Sequence, residues 1–268
     1  MNHSFKMRVG SGAGSESDSK AGSGSESESK AGSGSWDKMP KRDKLIVALD
    51  FPDYNSAKIL VEQLGDRVTF YKIGLELLMS GNYFDLIEFL AKKNKKMFID
   101  LKFFDIGQTV VKAIENLNNY PNIVYTTIHS TNRESMERIA ASKGNIKILA
   151  VTILTSFNQN DLSDINLDPT ISLEDIVIKR AKLAKECNID GVICSAFENG
   201  KIRSEISNDF IIANPGIRLE KLNQDDQKRI VNVQTAMNDG ANHIVVGRPI
   251  NRAVDPRKMA DKFLKEIS

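Results

Sequence analysis

From Lys44 onward, short apolar runs rich in Val, Ile and Phe alternate with longer stretches whose apolar residues recur three and four positions apart. The short runs are LIVALD (45–50), VTFYKIG (68–74), MFIDLK (97–102), IVYTTIHS (123–130), IKILAVTIL (146–154), DGVICS (190–195), FIIANP (210–215) and HIVVGRP (243–249). Strands with one wet face alternate apolar and polar residues, whereas these are apolar nearly throughout, the pattern of parallel strands covered on both faces. Between them, SAKILVEQL, FDLIEFLAKK, VVKAIENL, RESMERIAA, LEDIVIKRAKLAKE and TAMNDG have the spacing of amphipathic helices that cover such a sheet. Strand and helix in alternation, eight times over, predict an α/β chain folded as a single (β/α)8 TIM barrel. A doubly wound open sheet is the competing arrangement. It is disfavoured because Asp50, Phe51 and Pro52, not a glycine-rich loop, follow the first strand.

The residues before this body have another character. Gly10 to Ser35 consists only of Gly, Ser, Ala, Glu, Asp and Lys, with the near-repeat AGSESDSK, AGSGSESESK, AGSGS. With nothing apolar larger than Ala between Val9 and Trp36, the segment cannot bury enough surface to offset the entropy of ordering. Residues 1–43 are therefore expected to be a flexible tag or linker, of engineered origin by its low complexity, with a natural disordered arm as the alternative. Residues 44–268 form the expected barrel.

Composition narrows the partners. The 268 residues carry 37 basic and 35 acidic side chains, a net charge of +2. Nucleic acid and anionic membrane surfaces both select a basic excess, so neither is an expected partner, and a small molecule is. No apolar run reaches the length of a membrane span and the amino terminus lacks the apolar stretch of a secretory signal, which makes a cytoplasmic location the expectation. Cys187 and Cys194, with six residues between them, fit neither a metal-ligand spacing nor a disulfide framework.

In a barrel of this kind the chemistry sits at the carboxyl ends of the strands. Those ends carry Asp50, Lys72, Asp100 with Lys102, His129 with Ser130, Thr152 with Thr155 and Ser156, Ser195, Asn214 with Pro215 and Gly216, and Gly247 with Arg248. Four ionisable groups on the first three strands are costly to bury near one mouth unless they pair, so this cluster reads as a site. Alternation along the strand places Asp100 and Lys102 on one face, with Leu101 outward. Asp105 follows three residues later, past the strand, where it can reach out of its own barrel. The competing reading of DxKxxD is a salt-bridged strand end with a helix-capping Asp. After strands seven and eight, NPGIR (214–218) and VGRPI (246–250) each join a glycine to an arginine, the arrangement that grips phosphate in this fold. Gln227, in the loop after strand seven, could close over the same group. Turn glycines beside surface arginines are the plainer alternative.

LDFPD (49–53), FYKIGLEL (70–77), DLKFFDIGQT (100–109), TIHS (127–130), AVTILTS (150–156), GVICSAFE (191–198), NPGIR (214–218), DDQ (225–227) and VVGRPI (245–250) together resemble the orotidine 5′-phosphate decarboxylases, in order along nearly the whole body. The resemblance implies a homodimeric TIM barrel that converts orotidine monophosphate to UMP and CO2 in de novo pyrimidine synthesis, without metal or organic cofactor. It also implies roles. Lys72, Asp100, Lys102 and Asp105 would be the charged network, with Lys102 the proton donor and Asp105 contributed by the neighbouring subunit. Asp50 and Lys72 would hold ribose hydroxyls, with Thr109 reaching across the dimer beside Asp105. Thr155 would face the pyrimidine amide edge. Pro215 belongs to the loop that carries Arg218, and Arg218, Gln227, Gly247 and Arg248 would hold the phosphate. Many relatives read DLKxHDIPNT and TPGIR, where this chain has Phe104, Gly107, Gln108 and Asn214; loop shape and dimer packing are what these departures touch. Two other functions remain open to such a sequence: a metal-dependent sugar-phosphate decarboxylase or aldolase that reuses DxKxxD, and an inactive barrel that only binds a phosphorylated ligand.

Overall fold

The computed structural model describes residues 38–130, 132–219 and 229–267; the expected linker lies almost wholly outside them. Eight parallel strands close into a barrel: β1 (Leu45–Ala48), β2 (Phe70–Gly74), β3 (Lys96–Phe103), β4 (Ile123–His129), β5 (Lys147–Val151), β6 (Gly191–Ile193), β7 (Ile211–Asn214) and β8 (His243–Val246). Each strand pairs with its neighbours in sequence, and β1 closes on β8 in the register Leu45↔Ile244, Ile46↔Val245. The covering helices are α1 (Tyr54–Leu64), α2 (Tyr83–Lys92), α3 (Gly107–Leu117), α4 (Arg133–Ser142), α5 (Leu173–Glu186), α6 (Asn199–Glu205), α7 (Val233–Asn238) and α8 (Pro256–Glu266). This is the TIM barrel that the strand and helix periods predict.

Alternation within the strands builds two cores. Ile46, Phe70, Phe98, Tyr125, Leu149, Ile211 and Val245 point inward and fill the barrel. Their neighbours Leu45, Tyr71, Met97, Ile148, Ile212 and Ile244 point outward, into the larger core against the helices. Each such side chain contributes about 1.5–3 kcal/mol when fully buried, so a strand slipped by one residue would exchange the two faces and is excluded.

α6 and α8 are the covering helices beyond the six expected segments. α6 buries only Asn199 and Ile202, too few positions to make a period, whereas α8 carries the spacing, with Met259, Ala260, Phe263 and Leu264 turned to the core. The start of α8 is marked too, where Asp255 caps the Lys258 amide and Pro256 occupies the first turn.

At the amino-terminal end of the barrel His243 is fully enclosed, with Nε2 2.9 Å from the Tyr125 hydroxyl and Nδ1 3.0 Å from the Asp43 carbonyl oxygen. The Asp43 carboxylate accepts from Thr69 Oγ1 at 2.7 Å and from Lys96 Nζ at 2.9 Å. The barrel's base thus begins before residue 44, in the short helical turn Lys41–Lys44.

Candidate active site

The opposite, carboxyl end holds the charges. Asp50 follows β1, Lys72 lies in β2, and Asp100 and Lys102 lie in β3. Lys72 Nζ is 3.1 Å from Asp50 Oδ1 and 3.4 Å from Asp100 Oδ2, and Lys102 Nζ is 2.9 Å from Asp100 Oδ1. The four groups form one chain of alternating sign, Asp50–Lys72–Asp100–Lys102. Burial pushes the Asp100 carboxyl up, but the charges of Lys72 and Lys102 and their hydrogen bonds outweigh it and hold the group below the usual carboxylate range. Burial likewise pulls Lys72 down, and Asp100 and Asp50 more than reverse this, so the ammonium sits above its ordinary value. Both shifts favour the ionised pair.

A bulge aims this chain. Opposite Ile99, β4 offers Thr126, yet opposite Phe103 it offers Ile128, so four residues of β3 face two of β4. Lys102 takes up the slack in the left-handed region, at φ 49°. Its amide donates to Thr127 Oγ1 at 2.9 Å, and the Thr127 hydroxyl donates to Asp100 Oδ1 at 3.0 Å. Thr127 thereby ties the backbone of Lys102 to the carboxylate that holds its ammonium. Strand alternation alone predicts Asp100 and Lys102 on one face; the geometry that brings them into contact is this bulge.

These side chains line a cavity of about 280 Å3. Phe98, Val151, Ile153, Ile193 and Val245 supply its apolar surface, Thr155 and Ser156 add hydroxyls, and Pro215, Gly216, Arg218, Gly247 and Arg248 come from the loops after β7 and β8. Gly216 adopts φ 77°, a conformation a side chain would strain, and a Cβ on Gly247 would stand 3.2 Å from Asp50 Oδ2. Arg218 is buried, with Nη1 3.0 Å from its neighbour's carbonyl, Ile217 O.

Other strand-end residues turn elsewhere. Asn214 shares the outward parity of Ile212 and points into the α6 side, where it exchanges hydrogen bonds with Asn199 at 2.7 and 3.0 Å. Ser130 and Thr152 spend their hydroxyls on the carbonyls of Val151 and Ile193, and Ser195 is buried outside the cavity. His129 stands beside the Phe104 ring, 5.6 Å between centroids, and burial followed by the Lys102 charge lowers its pKa. Asp105 and Thr109 are exposed and do not reach the cavity of their own chain; the Asp105 carboxylate accepts from the Ile106 amide at 2.6 Å. Gln227 lies outside the described residues. Among the described residues no three His, Cys, Asp or Glu side chains are placed to hold a metal ion.

Comparison with known proteins adds the family. The profile of the orotidine 5′-phosphate decarboxylase / HUMPS family matches residues 43–263. The chain belongs to this family. It is 46% identical over 230 residues to the orotidine 5′-phosphate decarboxylase of Methylococcus capsulatus, covering 85% of this chain and 93% of that one. It is equally identical, over 233 residues, to the enzyme of that name from Stenotrophomonas maltophilia, covering 86% and 95%. The crystal structure of orotidine 5′-phosphate decarboxylase from Lactobacillus acidophilus superimposes with a TM-score of 0.71 at 32% identity, covering 84% of this chain and 98% of that one. The shared fold is therefore the barrel described above, and the charged mouth lies within the matched span.

Proposed function

We propose that this chain decarboxylates orotidine 5′-phosphate to UMP and CO2 in pyrimidine biosynthesis, as a cytoplasmic homodimer and without metal or organic cofactor. The observation that carries the proposal is the Asp50–Lys72–Asp100–Lys102 chain at the mouth of a family barrel, with two arginine-bearing loops lining the same cavity. Loss of CO2 from C6 of the pyrimidine leaves an electron pair in an sp2 orbital orthogonal to the ring π system, where resonance does not absorb it. A nearby cation must. An ammonium about 4 Å away, at an effective dielectric of about 20, contributes roughly 4 kcal/mol. Lys102 supplies that charge and then its proton, which goes to C6. Asp100 keeps Lys102 ionised and in place, and Asp105 of the neighbouring subunit completes the network.

Around this centre Asp50 and Lys72 take the ribose hydroxyls, with the neighbour's Thr109. Thr155 faces the pyrimidine amide edge. Pro215, Arg218, Gln227, Gly247 and Arg248 form the phosphate end, so binding energy gathered far from C6 can hold the reacting ring against the charges. The exposed apolar pair Phe104 and Ile106, 74% and 76% accessible in the single chain, flanks Asp105 and suits an interface. The expected amino-terminal linker, of which residues 1–37 lie outside the described residues, takes no part in this chemistry.

The direct test is the loss of orotidylate absorbance on adding the protein, run with and without EDTA and repeated on a chain that lacks residues 1–37. Turnover equal in all arms is expected. Activity abolished by EDTA would favour the metal-dependent sugar-phosphate chemistry, and no absorbance change despite UMP binding would favour a barrel that only binds.

A further inference from the structure

Glu198 carries a fully buried carboxylate away from the charged chain. It closes the single turn Ala196–Glu198 that links β6 to α6. Its Oε1 accepts from Arg229 Nη2, and the Arg229 guanidinium also lies over the Phe197 ring, 5.6 Å from its centroid. The second oxygen, Oε2, is buried with no hydrogen-bond partner among the described residues. As a stabilising device this is poor. Desolvating an ion pair consumes most of its Coulomb gain, an unmatched acceptor adds a further cost, and apolar residues of similar volume pack at least as well.

What the pair does accomplish is to fix Arg229. Two residues on, Val231–Asn232 runs parallel to Ile217–Arg218, in the register Ile217↔Val231 and Arg218↔Asn232. The same segment is pinned at its other end, where the Asn232 side chain accepts the Thr235 amide at 2.7 Å and caps α7. Ile217 is wholly buried, so the segment that delivers Arg218 to the cavity is held by the core on one side and by this ladder on the other.

We propose that Glu198, through Arg229, is a positioning residue for phosphate recognition: it locks the ladder that presents Arg218 to the cavity. This rests on the reading of Arg218 as a phosphate ligand. The tie adds nothing to recognition of the base or ribose, whose partners stand on other strands.

The test compares UMP with uridine by calorimetry. The double variant Glu198→Gln/Arg229→Ala removes the tie without stranding a buried charge. It is expected to weaken UMP about tenfold and uridine less than about twofold, and to add less than about twofold to the UMP defect of Arg218→Ala. Glu198→Gln alone, which keeps the volume and loses the charge, should move UMP in the same direction and serves if the double variant does not fold. Equal weakening of UMP and uridine, or unchanged UMP in a variant that folds, would overturn the tie while Arg218→Ala still discriminates the two ligands. If Arg218→Ala itself fails to discriminate them, the phosphate reading falls and the proposal with it.

Discussion

Lys102, in β3, and Arg248, after β8, line one cavity, and their different roles in the proposed chemistry predict different defects. The Lys102 charge matters most where negative charge develops, so Lys102→Ala should abolish turnover while UMP still binds within a few-fold of the unaltered protein. Arg248→Ala should chiefly raise the Kd of phosphorylated ligands. Steady-state kinetics beside direct binding separate the two, and the reverse pattern would refute the assigned roles. At the other end of the barrel His243 makes a different prediction. Burial, only partly opposed by the Asp43 carbonyl and carboxylate, lowers its pKa from 6.5 to about 4. The folded state thus prefers the neutral ring, and between those two values the unfolded chain binds more protons. Stability from this group is complete above pH 6.5 and is lost progressively as pH falls toward 4, by up to roughly 3 kcal/mol. Urea midpoints measured from pH 7 to pH 4.5 should fall accordingly, and the slope should flatten in His243→Gln. A slope unchanged by that substitution would assign the acid sensitivity elsewhere.

Among the elements, β3 carries the irregularity on which the proposed chemistry depends. Its bulge exists in a strand without glycine, held by the Thr127 hydroxyl between the Lys102 amide and Asp100. Thr127→Val keeps the shape and removes both hydrogen bonds, at a cost of about 1–3 kcal/mol for the amide and carboxylate left behind. Lys102 would then be loosely placed, and kcat should fall about tenfold or more, with Thr127→Ser close to normal. Full kcat in Thr127→Val would show the bulge to be held by other contacts. This element also marks how far the sequence could be read. Strands covered on both faces are apolar throughout, so all eight were legible, and ionisable groups closing such runs were legible as a site. Thr127 was not, because threonine is an ordinary strand residue and its role depends on a register shift that no local residue announces. Asn214 was legible and misread as facing the mouth: counted in twos from the inward Ile211, it falls with Ile212 on the helix side. α6 buries too few side chains for a period to appear, whereas α8 does show one, in Met259, Ala260, Phe263 and Leu264.

For the whole molecule the issue is whether one chain is a complete enzyme. In the single chain the cavity holds Asp50, Lys72, Asp100 and Lys102, while Asp105 and Thr109 point into solvent beside the exposed Phe104 and Ile106. A carboxylate three residues beyond Lys102 that serves no site of its own chain is explained if it serves a neighbour's, and the apolar pair beside it then has a surface to cover. The proposed arrangement makes a prediction that no single-chain account shares. Lys102→Ala and Asp105→Ala proteins should each be nearly inactive alone. In a dimer of one with the other, a symmetric interface places both defects in one site and neither in its mate. Random re-association makes about half the dimers mixed, each with one intact site of two, so roughly a quarter of the unaltered activity should return. Subunit exchange is checked independently by mass labelling of one parent. Recovery near that fraction would support the shared site, whereas full exchange with no recovery would return Asp105 to its own barrel and leave Phe104 and Ile106 without this explanation.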